Sequence, residues 1–235
     1  GVIFKELGER EKAKSCFEKA IEIQSDHAHA HNNLGKVFEE LEQIEVVQRG
    51  RFLLKAKSCY EKAIEILPNY SNAHHNLGNV HKRLRKFKEA KNCYEKAIKA
   101  QPSHAPSHNN LGLVFQELGE FQKAISCYEK AIQIDPNLAA VHNNLGRVFH
   151  ELEEIKKAKS CYEKAIEIIP NYAEAHNNLG VVFNELEEFQ KSKNCYEKAI
   201  QINYNLAAAH HNLGMISKEL GEHQKAKSCY EKVIE

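Results

Sequence analysis

Histidine and cysteine, the side chains most often used for metal binding and nucleophilic chemistry, are frequent in this chain of 235 residues, which has 14 His and 7 Cys. They recur at a nearly constant interval instead of gathering in one cluster. From Cys59 onward the cysteines stand 34 residues apart, and the interval from Cys16 to Cys59 is 43 residues. One metal ion needs several ligands at about 2 Å, and side chains a whole interval apart do not supply them. We therefore predict no metal site and no cofactor.

Catalytic patterns are also missing from the sequence. Nearly every glycine belongs to the recurring pattern, which leaves no glycine-rich loop that could bind phosphate. No Ser–His–acid combination stands outside that pattern. The triplet His27, His29 and His31 could hold an adventitious zinc or nickel ion, but we expect no physiological site there. The sequence predicts no catalytic residue and no enzymatic activity.

Asparagine provides the most regular polar feature. Six times an Asn precedes Leu-Gly, as in Asn110-Leu111-Gly112, and the residue before that Asn is again Asn or is His. Asn is a mediocre helix former, because its amide competes with the backbone for hydrogen bonds. Its side chain offers an acceptor and two donors, which match the N–H and C=O of a peptide group. A recurring Asn therefore suggests either a binding role or a role in packing.

These spacings define a repeating unit of 34 residues in which Pro136 takes position 32. A fixed period of this length predicts a repeat array in place of one or two globular domains. The complete units are 71–104, 105–138, 139–172 and 173–206, unit 28–70 carries nine extra residues near 45–53, and partial units cover 1–27 and 207–235.

Each unit predicts two amphipathic helices. In unit 139–172 the apolar residues Val141, Leu145, Val148, Phe149 and Leu152 fall on one face of a first helix. A second stripe of helical period follows a short break that contains Gly or Glu. One unit leaves an apolar side open, so neighbouring units must stack to bury it. The prediction is an all-α solenoid of helix–turn–helix units.

The unit has Leu at position 7, Gly at 8, Ala at 20 and 27, Tyr or Phe at 24 and mostly Pro at 32. This spacing resembles the tetratricopeptide repeat (TPR) along the whole chain apart from one insertion. The resemblance implies a right-handed superhelix of seven units, the first and last incomplete, whose first helices line a concave groove for partners. The Asn-Leu-Gly motif is similar to that of superhelical TPR arrays such as the one in O-GlcNAc transferase. One departure is His at position 4, where the family often has Trp or a large aliphatic residue.

The polar arc of the first helices is the predicted binding surface. We expect its asparagines to hold an extended peptide or protein segment by its backbone, with little demand on its sequence. The alternative is that Asn at position 6 bonds the backbone of a neighbouring repeat and only fixes the stack. Position 6 is Asn33, Asn76, Asn110, Asn144, Asn178 and Asn212, and position 5 is Asn32, His75, Asn109, Asn143, Asn177 and His211.

The other periodic residues are better explained by packing and solvation. His at position 4 lies on the apolar arc, where we expect a packed ring with one satisfied nitrogen. Cys at position 23 is expected to be a small, buried, unpaired thiol. Seven is an odd number, and the regular context is unlike a secreted disulfide scaffold, so a reducing, cytoplasmic location is predicted. The recurring Glu-Lys at positions 25 and 26 predicts a solvated convex surface.

Two irregularities interrupt the array. The extra residues of unit 28–70 lie between Ile44 and Leu53, with a break expected at Gly50 and about two extra turns of helix. This segment is either a tolerated surface insertion or a contact site built on Val46, Val47 and Phe52. Neither end has a polar capping helix, so more repeats or another domain are expected to flank the chain. Uncapped ends together with segment 44–53 leave a self-assembling scaffold as the alternative function.

Charge and hydropathy narrow the range of partners. The chain has 33 Lys+Arg against 32 Asp+Glu, without the basic excess that nucleic-acid binding requires. No apolar run approaches the roughly 20 residues that span a bilayer. Positions 2 and 5 carry no Lys or Arg, which disfavours a clamp for the acidic carboxyl terminus of chaperones. A protein or peptide partner is the remaining prediction.

Overall fold

The computed structural model describes residues 1–44 and 50–234, and within these ranges it contains α-helices and no β-strand. The all-α, α-solenoid prediction is confirmed. The helices are α1 (Val2–Glu6), α2 (Arg10–Ile23), α3 (Ala28–Ile44), α4 (Arg51–Ile66), α5 (Ser71–Arg83), α6 (Phe87–Ala100), α7 (Ala105–Glu117), α8 (Phe121–Ile134), α9 (Ala139–Glu151), α10 (Ile155–Ile168), α11 (Ala173–Glu185), α12 (Phe189–Ile202), α13 (Ala207–Glu219) and α14 (His223–Ile234).

The chain divides into two compact units. The first, Gly1–Glu120, contains α1 to α7, and the second, Phe121–Glu235, contains α8 to α14. In each unit every helix packs against the next one along the chain. First helices of successive repeats also touch, as α3 does α5 and α9 does α11. Stacked helix pairs of this kind are the expected solenoid arrangement.

A close approach of the two helices in each repeat explains the glycine at position 8. A Cβ added to Gly180 would lie 2.6 Å from Cε1 of Tyr196, and the Tyr196 ring is only 2% exposed. Real Cβ atoms do not come that close to carbon, so the position excludes every larger residue. The equivalent pairs are Gly35 with Tyr60, Gly78 with Tyr94, Gly146 with Tyr162 and Gly214 with Tyr230.

Position 11 holds Phe in five units, counting the partial ones, and departs from it in two. His81 and Ser217 occupy the position instead, and both side chains are buried. Within the described ranges, His81 Nδ1 and Ser217 Oγ have no hydrogen-bond partner. Where Phe is present, its ring can also contact a lysine: Nζ of Lys159 lies 5.1 Å from the centroid of the Phe183 ring. These two repeats therefore lack part of the common packing.

The turn between the two helices needs one residue with positive φ. Glycine supplies it at Gly119 (φ 72°) and Gly221 (φ 75°), but Glu153 (φ 59°) and Glu187 (φ 57°) adopt it with a side chain. This backbone region is costly for residues with a Cβ. The Gly/Glu break seen in the sequence is thus the turn itself.

The insertion lengthens the helices of unit 28–70. Helix α3 ends at Ile44, four residues beyond Glu40, the position where the other first helices end. Gly50 (φ 93°) is the N-cap residue of α4, and its N–H donates to Glu42 Oε1 at 2.5 Å. The N–H of Leu53 donates to the second oxygen of Glu42 at 3.3 Å, so this buried carboxylate caps α4. About one turn of the expected extra helix thus falls within the described residues.

The residues suggested for a contact site in the insertion have different outcomes. Phe52 is 8% exposed and stacks on Phe38 with ring centroids 6.1 Å apart, so it belongs to the core and is not available to a partner. Its place two turns before Tyr60 on an amphipathic helix is the physical reason. Val46 and Val47 lie outside the described residues. Among the helices that are described, none is both long enough and apolar enough to cross a membrane.

Candidate functional site

The asparagines of successive first helices bond to each other across the repeats. Nδ2 of Asn178 donates to Oδ1 of Asn143 at 3.0 Å, and Nδ2 of Asn212 donates to Oδ1 of Asn177 at 3.0 Å. In the first unit, Asn76 donates to Asn32 at 2.9 Å in the same way. In these three pairs the donor is position 6 and the acceptor is position 5 of the preceding repeat. Each pair therefore links two neighbouring repeats by side-chain amides.

The two positions differ in exposure. The acceptors are buried, with Asn32 at 2% and Asn143 at 5%, because they lie between successive first helices. Most position-6 residues are half-buried, so their amides also reach the surface. The half-buried members are Asn33, Asn110, Asn144, Asn178 and Asn212, Asn76 is buried, and at position 5 Asn177 is buried, Asn109 and His75 are half-buried and His211 is exposed.

Comparison with protein-family models identifies the family of this chain. Models described as tetratricopeptide repeat match residues 70–137, 103–171, 137–205 and 171–235, and a further model with the same description matches residues 1–27. The chain belongs to the tetratricopeptide repeat family. TPR arrays are scaffolds for protein–protein interaction, and the chain is a module of this class. A comparison with curated proteins finds no match.

Solved structures with the same fold include one that is described as a TPR protein. YrrB, described as a TPR protein with an unusual peptide-binding site, is 26% identical and superposes with a TM-score of 0.62 over 83% of this chain and 96% of its own. PilF of Pseudomonas aeruginosa is 23% identical, with a TM-score of 0.72 over 85% of this chain and 90% of its own. A chain of the Cut9–Hcn1 complex is 14% identical, with a TM-score of 0.81 over 98% of this chain and 44% of its own.

One TPR junction in the first unit departs from the asparagine pattern. His75 stands at position 5, and Asn110 donates instead to Oδ1 of Asn79 at 2.8 Å. The His75 ring turns to Ser107, with Nδ1 to Oγ at 3.0 Å, and Nδ1 of His104 contacts the same hydroxyl at 2.7 Å. Ser107 is fully buried. The hydroxyl of Ser107, in repeat 105–138, thus joins two imidazoles of the preceding repeat.

Burial determines the protonation of this histidine pair. Loss of solvent, together with the smaller effects of the nearby His104, Lys82 and Lys36, lowers the pKa of His75 to about 3. Burial also lowers the pKa of His104. The His75 ring lies 5.0 Å from that of His104, so two positive charges would repel each other there. Both rings are therefore neutral at physiological pH.

Positions 9, 12 and 13 lie toward the carboxyl end of each first helix. Side chains at these positions form ion pairs between repeats and accept hydrogen bonds from tyrosine hydroxyls of the second helices. Tyr60 donates to Glu39 at 2.5 Å, and Arg83 of the next repeat lies 3.7 Å from Glu39. Burial raises the pKa of Glu39, while Tyr60 and Arg83 act in the opposite direction. In the second unit His150 contacts Glu185 at 2.8 Å. Much of the charge at these positions is thus matched between neighbouring repeats.

The packing role predicted for His at position 4 is confirmed. In every repeat that contains it, Nε2 bonds the carbonyl oxygen of the residue six positions earlier, as His176 does with Pro170 at 2.9 Å. The imidazole therefore ties a first helix to the turn before it. The other five are His31 with Ser25, His74 with Pro68, His108 with Pro102, His142 with Pro136 and His210 with Tyr204.

All seven cysteines lie in the described part of the chain and remain thiols. Full burial was expected, but only Cys93 and Cys229 are buried and the other five are half-buried. The difference arises because position 23 lies at the edge of the apolar stripe, next to the buried Tyr at 24. Burial still raises the pKa of Cys161 and of Cys195 to about 11. Among the described residues, no group of three or more His, Cys, Asp or Glu could hold a metal ion.

Sequence reasoning missed the serine-centred pair and the pairing of positions 5 and 6. The second had no signal of its own, because position 6 is Asn in all six repeats whether the preceding position 5 is Asn or His. The signal for the first was weak: Ser107 takes a position that is Ala or Val in the other repeats, next to the repeat in which His75 replaces Asn.

Proposed function

We propose that the first-helix face of each unit binds an extended peptide segment by its backbone, through the amides at position 6. The inter-repeat hydrogen bonds carry this proposal. The bond from Asn212 to Asn177 uses one N–H of the Asn212 amide and fixes the plane of that side chain. The amide keeps a second N–H and its oxygen, which complement the two polar groups of a peptide unit. Binding groups that are held in place in advance lose less entropy when a ligand arrives.

The strength and salt dependence of such binding follow from its chemistry. Each neutral hydrogen bond contributes about 0.5–1.5 kcal/mol net, so several repeats must act together. A Kd of about 1 μM is a reasonable result for a few such contacts. Neutral contacts weaken only mildly with salt. The likeness to YrrB, a TPR protein with a peptide-binding site, supports the proposal.

Binding, and not catalysis, is the proposed activity, with a protein or peptide as partner and neither nucleic acid nor membrane. We place it in the reducing cytoplasm. The thiols support this, since a raised pKa keeps Cys161 protonated and slow to oxidise.

The test uses both ends of one hydrogen bond. Asn212→Ala and Asn177→Ala both remove this bond, and Asn177→Ala also removes the contact of Asn177 Nδ2 with Asn178 Oδ1 at 3.4 Å, so it should lower the free energy of unfolding at least as much. Only Asn212→Ala also removes an amide that reaches the surface. Peptide capture, measured by fluorescence anisotropy with unstructured peptides, should therefore weaken more for Asn212→Ala. Equal losses of binding from the two variants would show that the asparagines only fix the stack.

Self-assembly is a second candidate, favoured by apolar side chains beside the insertion. Ile44 is 57% exposed and Leu54 is 60% exposed, at the end of α3 and the start of α4. Sedimentation at rising concentration should show association of the unchanged chain and its loss in an Ile44→Ser, Leu54→Ser variant. A chain that stays monomeric throughout would remove this candidate.

A further inference from the structure

One arginine on the first-helix face stands apart from the matched charges. Position 9 is Lys36, Asn79, Leu113, Arg147, Val181 and Met215 in successive repeats, so Arg147 is the single arginine there. Its side chain is exposed. Arg83 and Arg10 on the first unit approach Glu39 and Glu40, whereas Arg147 has neither a hydrogen bond nor an ion pair with any residue that the structure describes.

A small pocket of the second unit contains this guanidinium. It encloses about 170 Å³ and is lined by Arg147, His150, Glu151, Tyr162, Asn178 and Val181. The lining comes from α9, α10 and α11, which pack against one another. Asn178 is a position-6 asparagine, so the pocket opens directly beside the amides proposed to hold a peptide. A peptide gripped by Asn178 would place one of its side chains here.

The polar groups of the pocket are mostly donors. Arg147 brings a fixed positive charge and a planar set of N–H groups that match a carboxylate. Burial raises the pKa of Tyr162, so its hydroxyl stays protonated. Nε2 of His150 lies 2.8 Å from Oε1 of Glu185, which does not line the pocket, so this carboxylate already has a hydrogen-bond partner. Glu151 is the acidic group of the lining, and its single negative charge disfavours a doubly charged phosphate more than a carboxylate.

We propose that this pocket binds the side-chain carboxylate of an Asp or Glu in the peptide held by the position-6 asparagines. The inference rests on the proposed function and adds to it one point of sequence selection. The backbone contacts accept any sequence, whereas an unmatched guanidinium in a pocket selects one charge. The partner is therefore an extended segment with an acidic residue at a fixed register.

Selection from a displayed library of random peptides tests this on the whole chain. The unchanged chain, Arg147→Gln and Lys218→Gln are screened in parallel. Lys218 is an exposed cation of the same face and the same unit that does not line the pocket, so it controls for loss of charge alone. We expect Asp or Glu to be enriched at one register by the unchanged chain and by Lys218→Gln, but not by Arg147→Gln.

Titrations with a selected peptide that carries Glu at this register complete the test. They include two otherwise identical peptides, its twins, that carry Gln or phosphoserine at the same register. The Glu form should bind the unchanged chain about three- to tenfold more tightly than the Gln form. Arg147→Gln should abolish this ratio, and Glu151→Gln should increase it by removing the like charge. Melting curves show whether the variants fold. If Arg147→Gln lowers the melting temperature, Arg147→Lys takes its place, because it keeps the positive charge, and it should give an intermediate ratio.

The outcomes separate the two proposals. Enriched peptides without an acidic preference, or a preference that survives in Arg147→Gln, would overturn the carboxylate pocket and leave backbone binding standing. Tighter binding of the phosphoserine twin would overturn it in favour of a phosphate ligand. A library that yields no binder at all would overturn the proposed function, and this inference with it.

Discussion

Replacement of His75 by Asn should make the chain less sensitive to acid. His75 is the histidine that interrupts the asparagine pattern, and its ring contacts Ser107, His104 and Tyr94, with Lys82 and Lys36 nearby. Its pKa is about 3 in the folded chain against 6.5 for the ordinary side chain. Below pH 6.5 the unfolded chain therefore binds a proton on the His75 ring that the folded chain does not bind. The stability contributed by the neutral ring is complete above that pH and falls as the pH drops toward the folded pKa.

The size of the effect follows from proton linkage. With these two pKa values, the unfolded state gains about 2 kcal/mol relative to the folded state on going from about pH 8 to pH 5. Asparagine carries no such penalty. It already stands at position 5 of other repeats, where it accepts a hydrogen bond from the next Asn, so Asn110 would have an acceptor ready at position 75.

Urea unfolding of the unchanged chain and of His75→Asn, followed by circular dichroism at both pH values, measures the difference. Other histidines of lowered pKa, such as His74 and His81, are common to both chains and cancel in the comparison. The variant should lose about 2 kcal/mol less on acidification. His211→Asn, at the exposed position 5 of another repeat, is the matched control for the substitution itself. An equal acid sensitivity in His75→Asn would refute the assignment of a buried, neutral ring.

Three further predictions concern stability and are measured by urea unfolding. Gly180→Ala should destabilise the chain by about 1–3 kcal/mol, because its Cβ would meet the buried Tyr196 ring; an unchanged midpoint would contradict this contact. Ser217→Phe should stabilise it by about 1–2 kcal/mol, by restoring the common side chain and removing a buried unpaired hydroxyl; a lower midpoint would show that the site has no room. Glu153→Gly should stabilise it by about 1 kcal/mol by relieving the positive φ of 59°; a loss of stability would count against backbone strain.

The sequence predicted the fold well because the same local pattern occurs many times. The two apolar stripes of each unit indicated a pair of packed helices, and the contact of Gly180 with Tyr196 lies between them. The packing of His at position 4 could be predicted because the residue lies on the apolar arc. The bond to a backbone carbonyl six residues earlier could not, since it depends on how the preceding turn is folded.

The candidate site was only partly predictable. A helical wheel assigns Asn143 and Asn177 to the polar arc, but stacking of the next repeat buries them as acceptors. A helical wheel describes one helix alone, whereas the burial of these amides depends on the packing of two helices. The pocket around Arg147 has the same origin, because its lining comes from three helices and one of its residues, Asn178, belongs to the following repeat.

The side-chain amide signals of the asparagines test the central claim most directly. In a nuclear magnetic resonance titration with a selected peptide, the Nδ2–H signals of Asn178 and Asn212 should shift in a saturable way, because their amides meet the peptide backbone. Those of Asn143 and Asn177, which are buried, should shift much less. Saturable binding that leaves the signals of Asn178 and Asn212 in place, and moves only residues of the second helices, would contradict the account.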